Sequence, residues 1–139
     1  MMYKFIETEI DNLLLSNNNI LGAIKVDATY IINELAKNFN LNIVGIYQEL
    51  WIQLMDTRTP NYYIQDENGW KLSIARITYP CFLLIDNSTD KVAYKIKTDR
   101  DLLIILENTT GFTYYLCNNS VKSVTFFNFH DVLAVFSVE

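Results

Sequence analysis

Between Pro80 and Val138 the chain runs through short apolar segments, most of them joined by polar connections of hairpin length. That spacing constrains the fold more than any other feature. Strands joined this closely must pair antiparallel, because a parallel pair needs a crossover of about a dozen residues or more. Pro80–Ile85 is a continuous apolar run, and Asp86-Asn87-Ser88-Thr89-Asp90 is a tight connection. Lys91–Ile96 then sets Val92, Tyr94 and Ile96 against lysines. This predicts a β-hairpin whose second strand is half exposed. Thr98-Asp99-Arg100-Asp101 opens a helix: Thr98 can cap it, and acids in the first turn suit the positive end of the helix dipole. Gly111 is expected just past the end of that helix. Phe112–Cys117, Val121–Phe127 and Val132–Val138 follow as three predicted strands.

The first half reads as mainly helical. Phe5, Ile6, Ile10, Leu13 and Leu14 have helical spacing across Tyr3–Leu15, which ends in the turn-forming Ser16-Asn17-Asn18-Asn19. A second helix is expected over Asp27–Phe39, with Asp27 as N-cap and Tyr30, Ile31, Leu35 and Phe39 along one stripe. Ile43–Met55 fits a helix but is rich in strand formers, and we read a helix from Ile46 to Met55. Residues 56–61 form a loop ahead of a short strand at Tyr62-Tyr63-Ile64. A turn at Asp66-Glu67-Asn68-Gly69 leads into a short helix near Trp70–Arg76. Together these elements predict one α+β domain over residues 1–139. N-terminal helices would pack on one face of a mainly antiparallel sheet, with the C-terminal order β-β-α-β-β-β.

Charge is uneven along the chain. The formal net charge is −5, and residues 1–70 carry nine acids against four bases, whereas residues 71–139 carry seven of each. The bases are scattered, so nucleic acid is not the expected partner; phosphate contacts need a basic stripe. An acidic half suits attraction of a basic protein instead. No segment reads as a signal peptide, because Glu7, Glu9 and Asp11 interrupt the N-terminal apolar stretch. No run reaches the roughly eighteen apolar residues of a membrane span, so no membrane partner is expected either. The three N-x-[ST] patterns read as chance turn sequences, and the expected compartment is the cytoplasm.

Candidate chemistry is sparse. His130 is the single histidine and stands beside Asp131, but neighbours on a strand point to opposite faces, so the two side chains are poorly placed to pair. Asn128 and Asp131 instead bracket Phe129-His130 as turn formers, so His130 should order the final hairpin and Asp131 begin the last strand. Cys81 and Cys117 lie in apolar strand contexts, where thiols are usually inert. Two cysteines and one histidine do not compose a zinc site, and no glycine-rich loop cradles a phosphate. No catalytic residues, metal or cofactor are therefore expected. Trp51, Tyr62, Tyr63 and Trp70 cluster around a loop bearing Asp56, Asp66 and Glu67. Both tryptophans are expected in the core. Asp56, Tyr62, Tyr63, Asp66 and Glu67 are left as the candidate partner-binding set, with aromatics as anchors and acids for orientation.

Residues 76–139 carry a resemblance. Phe82-Leu83-Leu84-Ile85-Asp86, the hairpin, the acid-capped helix and GFTYYLCNNSVKSVTFFNFHDVLAVF resemble a family of small bacterial proteins of unassigned function. Its members end in G-F-x-Y-Y, a polar turn, an apolar strand and N-x-H-D-V-L. Gly111, Phe112, Tyr114, Tyr115, Asn128, His130, Asp131, Val132 and Leu133 carry the match. Many relatives have two histidines before the Asp, whereas Phe129 takes the first place here, which argues against a paired-imidazole role. Such proteins are often found among immunity genes accompanying polymorphic or contact-dependent toxins. The resemblance therefore implies an immunity protein that neutralises a cognate, basic toxin by blocking its active site or substrate path. Alternative readings are a phage-type inhibitor of a host defence nuclease and a small hydrolase using His130.

Overall fold

Every strand pair among the described residues is antiparallel, and for the three hairpins of the C-terminal half the short connections require it. The computed structural model describes residues 2–16, 22–43, 49–88 and 90–139. Among these the elements are α1 (Met2–Ser16), β1 (Ala23–Asp27), α2 (Thr29–Phe39), α3 (Leu50–Thr57), β2 (Tyr62–Gln65) and α4 (Gly69–Ala75). The second half follows as β3 (Cys81–Ile85), β4 (Val92–Ile96), α5 (Asp99–Glu107), β5 (Tyr114–Asn118), β6 (Ser123–Phe127) and β7 (Val132–Ser137). The strands form one sheet in the order β1-β4-β3-β5-β6-β7-β2, with β1 and β2 at its edges.

The α+β class and the C-terminal β-β-α-β-β-β order stand as the sequence predicts. The helices, however, cover both faces of the sheet rather than one. On one face, Ile31, Ile32, Leu35 and Phe39 of α2 and Leu50 and Leu54 of α3 pack over Leu84, Ala93, Tyr115, Cys117, Val124, Phe126, Ala134 and Phe136. On the other, Ile6 and Ile10 of α1, Trp70 and Ile74 of α4, and Leu102 and Ile105 of α5 pack over Cys81, Leu83, Ile85, Tyr94, Ile96, Tyr114, Leu116, Phe127 and Leu133. The reason lies in the central strands. Cys81-Phe82-Leu83-Leu84-Ile85 and Tyr114-Tyr115-Leu116-Cys117 are apolar at every position, so each sends side chains to both faces and each face needs a cover.

Several local boundaries also move. The segment ahead of α2 forms the edge strand β1, which alternates too weakly to signal a strand: Ile24 and Lys25 are both exposed. Asp27 ends that strand, and Ala28 occupies the N-cap position of α2, while Asp27 Oδ1 accepts from Thr29 N–H at 2.7 Å. Of the ambiguous Ile43–Met55 segment, Leu50–Met55 is helical within α3 and Ile43 is irregular, while residues 44–48, where the helix is expected to begin at Ile46, lie outside the described residues. Helix α5 ends at Glu107 with Asn108 as C-cap, so Gly111 lies beyond the cap. Val121 sits in the β5–β6 turn with φ 57°, and Asp131 (φ 60°) precedes β7 rather than beginning it.

Thr98 caps α5 as its sequence predicts, with a consequence for the whole sheet edge. Thr98 Oγ1 accepts from Asp101 N–H at 3.3 Å, and the Asp101 carboxylate accepts from Thr98 N–H at 3.1 Å and from its hydroxyl at 2.7 Å. Asp101 is only 5% exposed, and its other oxygen accepts from Gly22 N–H at 2.8 Å, joining the start of β1 to the start of α5. A Cβ on Gly22 would lie 2.6 Å from Asp101 Oδ2, so the close approach needs glycine. Asp101→Ala is expected to destabilise the fold by about 2–4 kcal/mol, because buried donors lose a charged acceptor. Thr98→Ala should cost about 1 kcal/mol. Urea unfolding of the two variants checks both the size and the order of these effects.

Candidate functional site

Antiparallel strands send alternate connections to opposite ends of the sheet, and here those ends differ in charge. Where β1, β2, β3 and β6 finish, the connecting segments carry Asp27, Asp66, Glu67, Asp86, Asp90 and Asp131, together with Glu49 at the start of α3. The base within these connections, among the described residues, is Lys91. The opposite end carries Arg58, Arg76, Lys97 and Lys122 against Asp56, Asp99 and Glu139. The acidic end draws Asp27, Glu49, Asp66 and Glu67 from the first half of the chain and Asp86, Asp90 and Asp131 from the second, so the spatial imbalance does not follow the sequence halves.

At the acidic end a buried network anchors α3. Tyr115, buried in β5, donates its hydroxyl to Asp86 Oδ1 at 2.6 Å, and the same oxygen accepts from Glu49 N–H at 2.8 Å. The Tyr115 hydroxyl oxygen in turn accepts from Trp51 N–H at 3.2 Å. Glu49 enters the helix in the left-handed region (φ 53°), an uncommon backbone state for a residue with a Cβ. Burial pushes the Asp86 carboxyl above its ordinary value of 3.8, opposed by the two hydrogen bonds it accepts from Tyr115 and Glu49.

This network sets Trp51 beside the last hairpin. Asn128, 1% exposed, uses Oδ1 to accept from His130 N–H at 3.0 Å and from Val132 N–H at 3.1 Å. Asp131 N–H returns to Asn128 O at 3.0 Å, closing the turn. The loop tip is held from the side as well: Phe129 N–H donates to Thr113 Oγ1 at 3.2 Å, and His130 O accepts from Gln65 Nε2 at 3.2 Å. Phe129 remains 67% exposed. Its ring lies 4.0 Å from that of His130, and Trp51 meets both nearly edge-on, at 6.5 and 5.8 Å between centroids. The result is a cluster of three rings at the acidic end of the sheet. A cavity of about 450 Å³ elsewhere, lined by Trp70, Lys71, Glu107, Phe112 and Tyr114, holds no comparable exposed anchor.

The candidate binding residues are divided by this geometry. Asp66 and Glu67 belong to the acidic end, whereas Asp56 lies in the last turn of α3 at the opposite end. Four strand residues rising about 3.3 Å each separate those ends along β2. Tyr62 is half-buried beneath the Arg76 guanidinium, 3.4 Å from its ring centroid, and Tyr63 is 50% exposed. Trp51, expected in the core, is partly exposed within the ring cluster, and Trp70 is partly buried under Lys71. Phe129 was the missed residue. Its signal was present in the sequence, since a large apolar side chain at the tip of a short polar turn has no core to enter.

The groups considered for chemistry stand as follows. Cys81 and Cys117 are both fully buried free thiols; burial pushes the Cys81 thiol up to about 12 and the Cys117 thiol higher still. His130 serves the hairpin through its backbone and the cluster through its ring. Among the described residues no His, Cys, Asp and Glu side chains gather to hold a metal, and no helix is long and apolar enough to cross a membrane. Comparisons with protein-family models, with curated proteins and with solved structures found no match to this chain.

Two outcomes are expected from the anchor network. Tyr115→Phe should cost about 1–3 kcal/mol in urea unfolding, because Asp86 and the Trp51 amide both lose a buried partner. Asp86 has a raised pKa, so just above pH 3.8 the folded state holds a proton that the unfolded state has released. Its contribution to stability therefore falls as pH rises through that window. Asp86→Asn, which keeps a carbonyl acceptor, should remove this decline when unfolding is followed against pH.

Proposed function

We propose that this protein is an immunity-type binding protein, acting in the cytoplasm, that neutralises a basic protein toxin by occupying its active site or substrate path. The observation that carries the proposal is the exposed ring cluster of Phe129, His130 and Trp51 set within the acidic end of the sheet. Aromatic anchors held by a rigid scaffold supply binding energy at low ordering cost, and surrounding charges of one sign speed the approach of an oppositely charged partner. Asn128, Thr113 and Gln65 hold the loop tip, so little freedom remains to be lost on binding. Asp66 and Glu67 of the candidate set extend the same acidic end, and the match to the N-x-H-D-V-L ending falls on this hairpin.

The test is co-expression with the product of the neighbouring gene, followed by a binding measurement on the purified pair. Protection from toxicity is expected, with an association rate that falls steeply as salt is raised. Phe129→Ala should leave the unfolding midpoint unchanged and weaken binding by about 2 kcal/mol, roughly thirtyfold. Neither binding nor protection, or binding indifferent to both salt and Phe129, would remove the proposal.

A further inference from the structure

The two edges of the sheet differ in how they are guarded. At β1 the exposed row of backbone groups belongs to Ala23, Lys25 and Asp27, because Gly22 O and Ala28 N–H bond towards β4 and its flank. Lys25 bridges to Asp11 at 2.9 Å and to Glu7 at 3.5 Å, so charge occupies this edge, a common guard against strand addition. At β2, Asp66 N–H bonds to Asp131 O, which fixes the alternation: Tyr62 and Ile64 bond towards β7, while Tyr63 and Gln65 turn their N–H and C=O groups outward. No residue of Tyr62–Gln65 is charged, Tyr63 is half exposed, and among the described residues no element lies beyond this strand.

We infer that β2 pairs with β2 of a second copy of this chain, antiparallel about a two-fold axis at Ile64, joining two sheets into one. Three features favour a second copy as the occupant. First, this register uses both outward residues of each copy, since Tyr63 stands opposite Gln65 of the other chain. A centre at Tyr63 would require Asn61, whose N–H is already given to Val135 O. A centre at Gln65 would require Glu67, which lies in a turn.

Second, the register places Tyr62 opposite Asp66 of the other copy. Both project to the face of Ile64, where the Arg76 guanidinium lies over the Tyr62 ring. Each dimer thus forms the Arg76–Asp66 pair twice, flanking an Ile64–Ile64 contact on the axis. Third, antiparallel pairing sets the acidic end of one sheet beside the end bearing Arg58 and Arg76 of the other. Parallel pairing would bring like ends together. The hairpin tip bearing Phe129 and His130 borders this edge, since His130 O accepts from Gln65 Nε2 at 3.2 Å, so the dimer seam flanks the proposed toxin surface and Asp66 belongs to both.

Sedimentation of the full chain is expected to show a species of twice 16.2 kDa that dissociates on dilution. Tyr63→Pro removes an outward N–H that the monomer does not use, so it should yield a 16.2 kDa species with unchanged circular dichroism. Asp66→Arg and Arg76→Asp should each weaken the dimer at least tenfold, and the double variant should restore it. This reversal holds even where Tyr63→Pro fails to fold. Ile64→Cys should form an interchain disulfide on mild oxidation, since both native thiols are buried. A chain that stays monomeric at millimolar concentration overturns the inference, including one that instead accepts an added extended peptide at this edge. A dimer that survives Tyr63→Pro, or a charge reversal without rescue, overturns it equally.

Discussion

The fold depends on burying both faces of its central strands. β3 and β5 are apolar at almost every position, so whichever face one helix covers, the opposite face still presents Leu84, Tyr115 and Cys117 or Leu83, Tyr114 and Leu116 to water. Each such side chain is worth about 1.5–3 kcal/mol when fully buried, which is large against the net stability of a domain. Helices on both sides are the solution. The large tyrosines carry this through to polar chemistry: Tyr114 and Tyr115, adjacent in β5, point to opposite faces. Tyr114 shares a 2.8 Å hydrogen bond with Ser73 of α4, and Tyr115 reaches Asp86 and the first turn of α3. Each buried hydroxyl thus pins one helix to the sheet.

The acidic end follows from that arrangement. Antiparallel order collects residues from distant parts of the chain, since Asp27, Glu49, Asp66, Asp86 and Asp131 all lie in connections at one end of the sheet. The Tyr115–Asp86–Glu49 network then brings Trp51 against Phe129 and His130. An aromatic patch among acidic connections thus results from the stability requirements of the sheet. The same segregation of charge governs how two copies would meet at β2, because a two-fold axis sets unlike ends side by side.

Much of this was legible in the sequence, and the exceptions share a cause. The capping of α5 by Thr98, the β3–β4 hairpin and the turn at Asn128–Asp131 all rest on interactions between residues close in sequence, which local spacing encodes. Strand β1 was missed because its partner β4 lies some seventy residues away and its exposed face shows no clean alternation. The candidate set Asp56, Tyr62, Tyr63, Asp66 and Glu67 is contiguous only along the chain. Strand β2 separates Asp56 from the two later acids, and Phe129 was overlooked because its neighbours in space come from residues 51 and 113.

By itself, then, the sequence determined the class, the antiparallel pairing, the turn that holds His130 and the burial of both cysteines, because short-range sterics, hydrogen bonding and hydrophobic pattern decide each of them. Only the tertiary structure decided that the helices divide between two faces, that the acids collect at one end, and that Trp51, Phe129 and His130 form one surface. Those features depend on which distant segments share the two sides and two ends of a sheet, and that is set by global burial of the central strands.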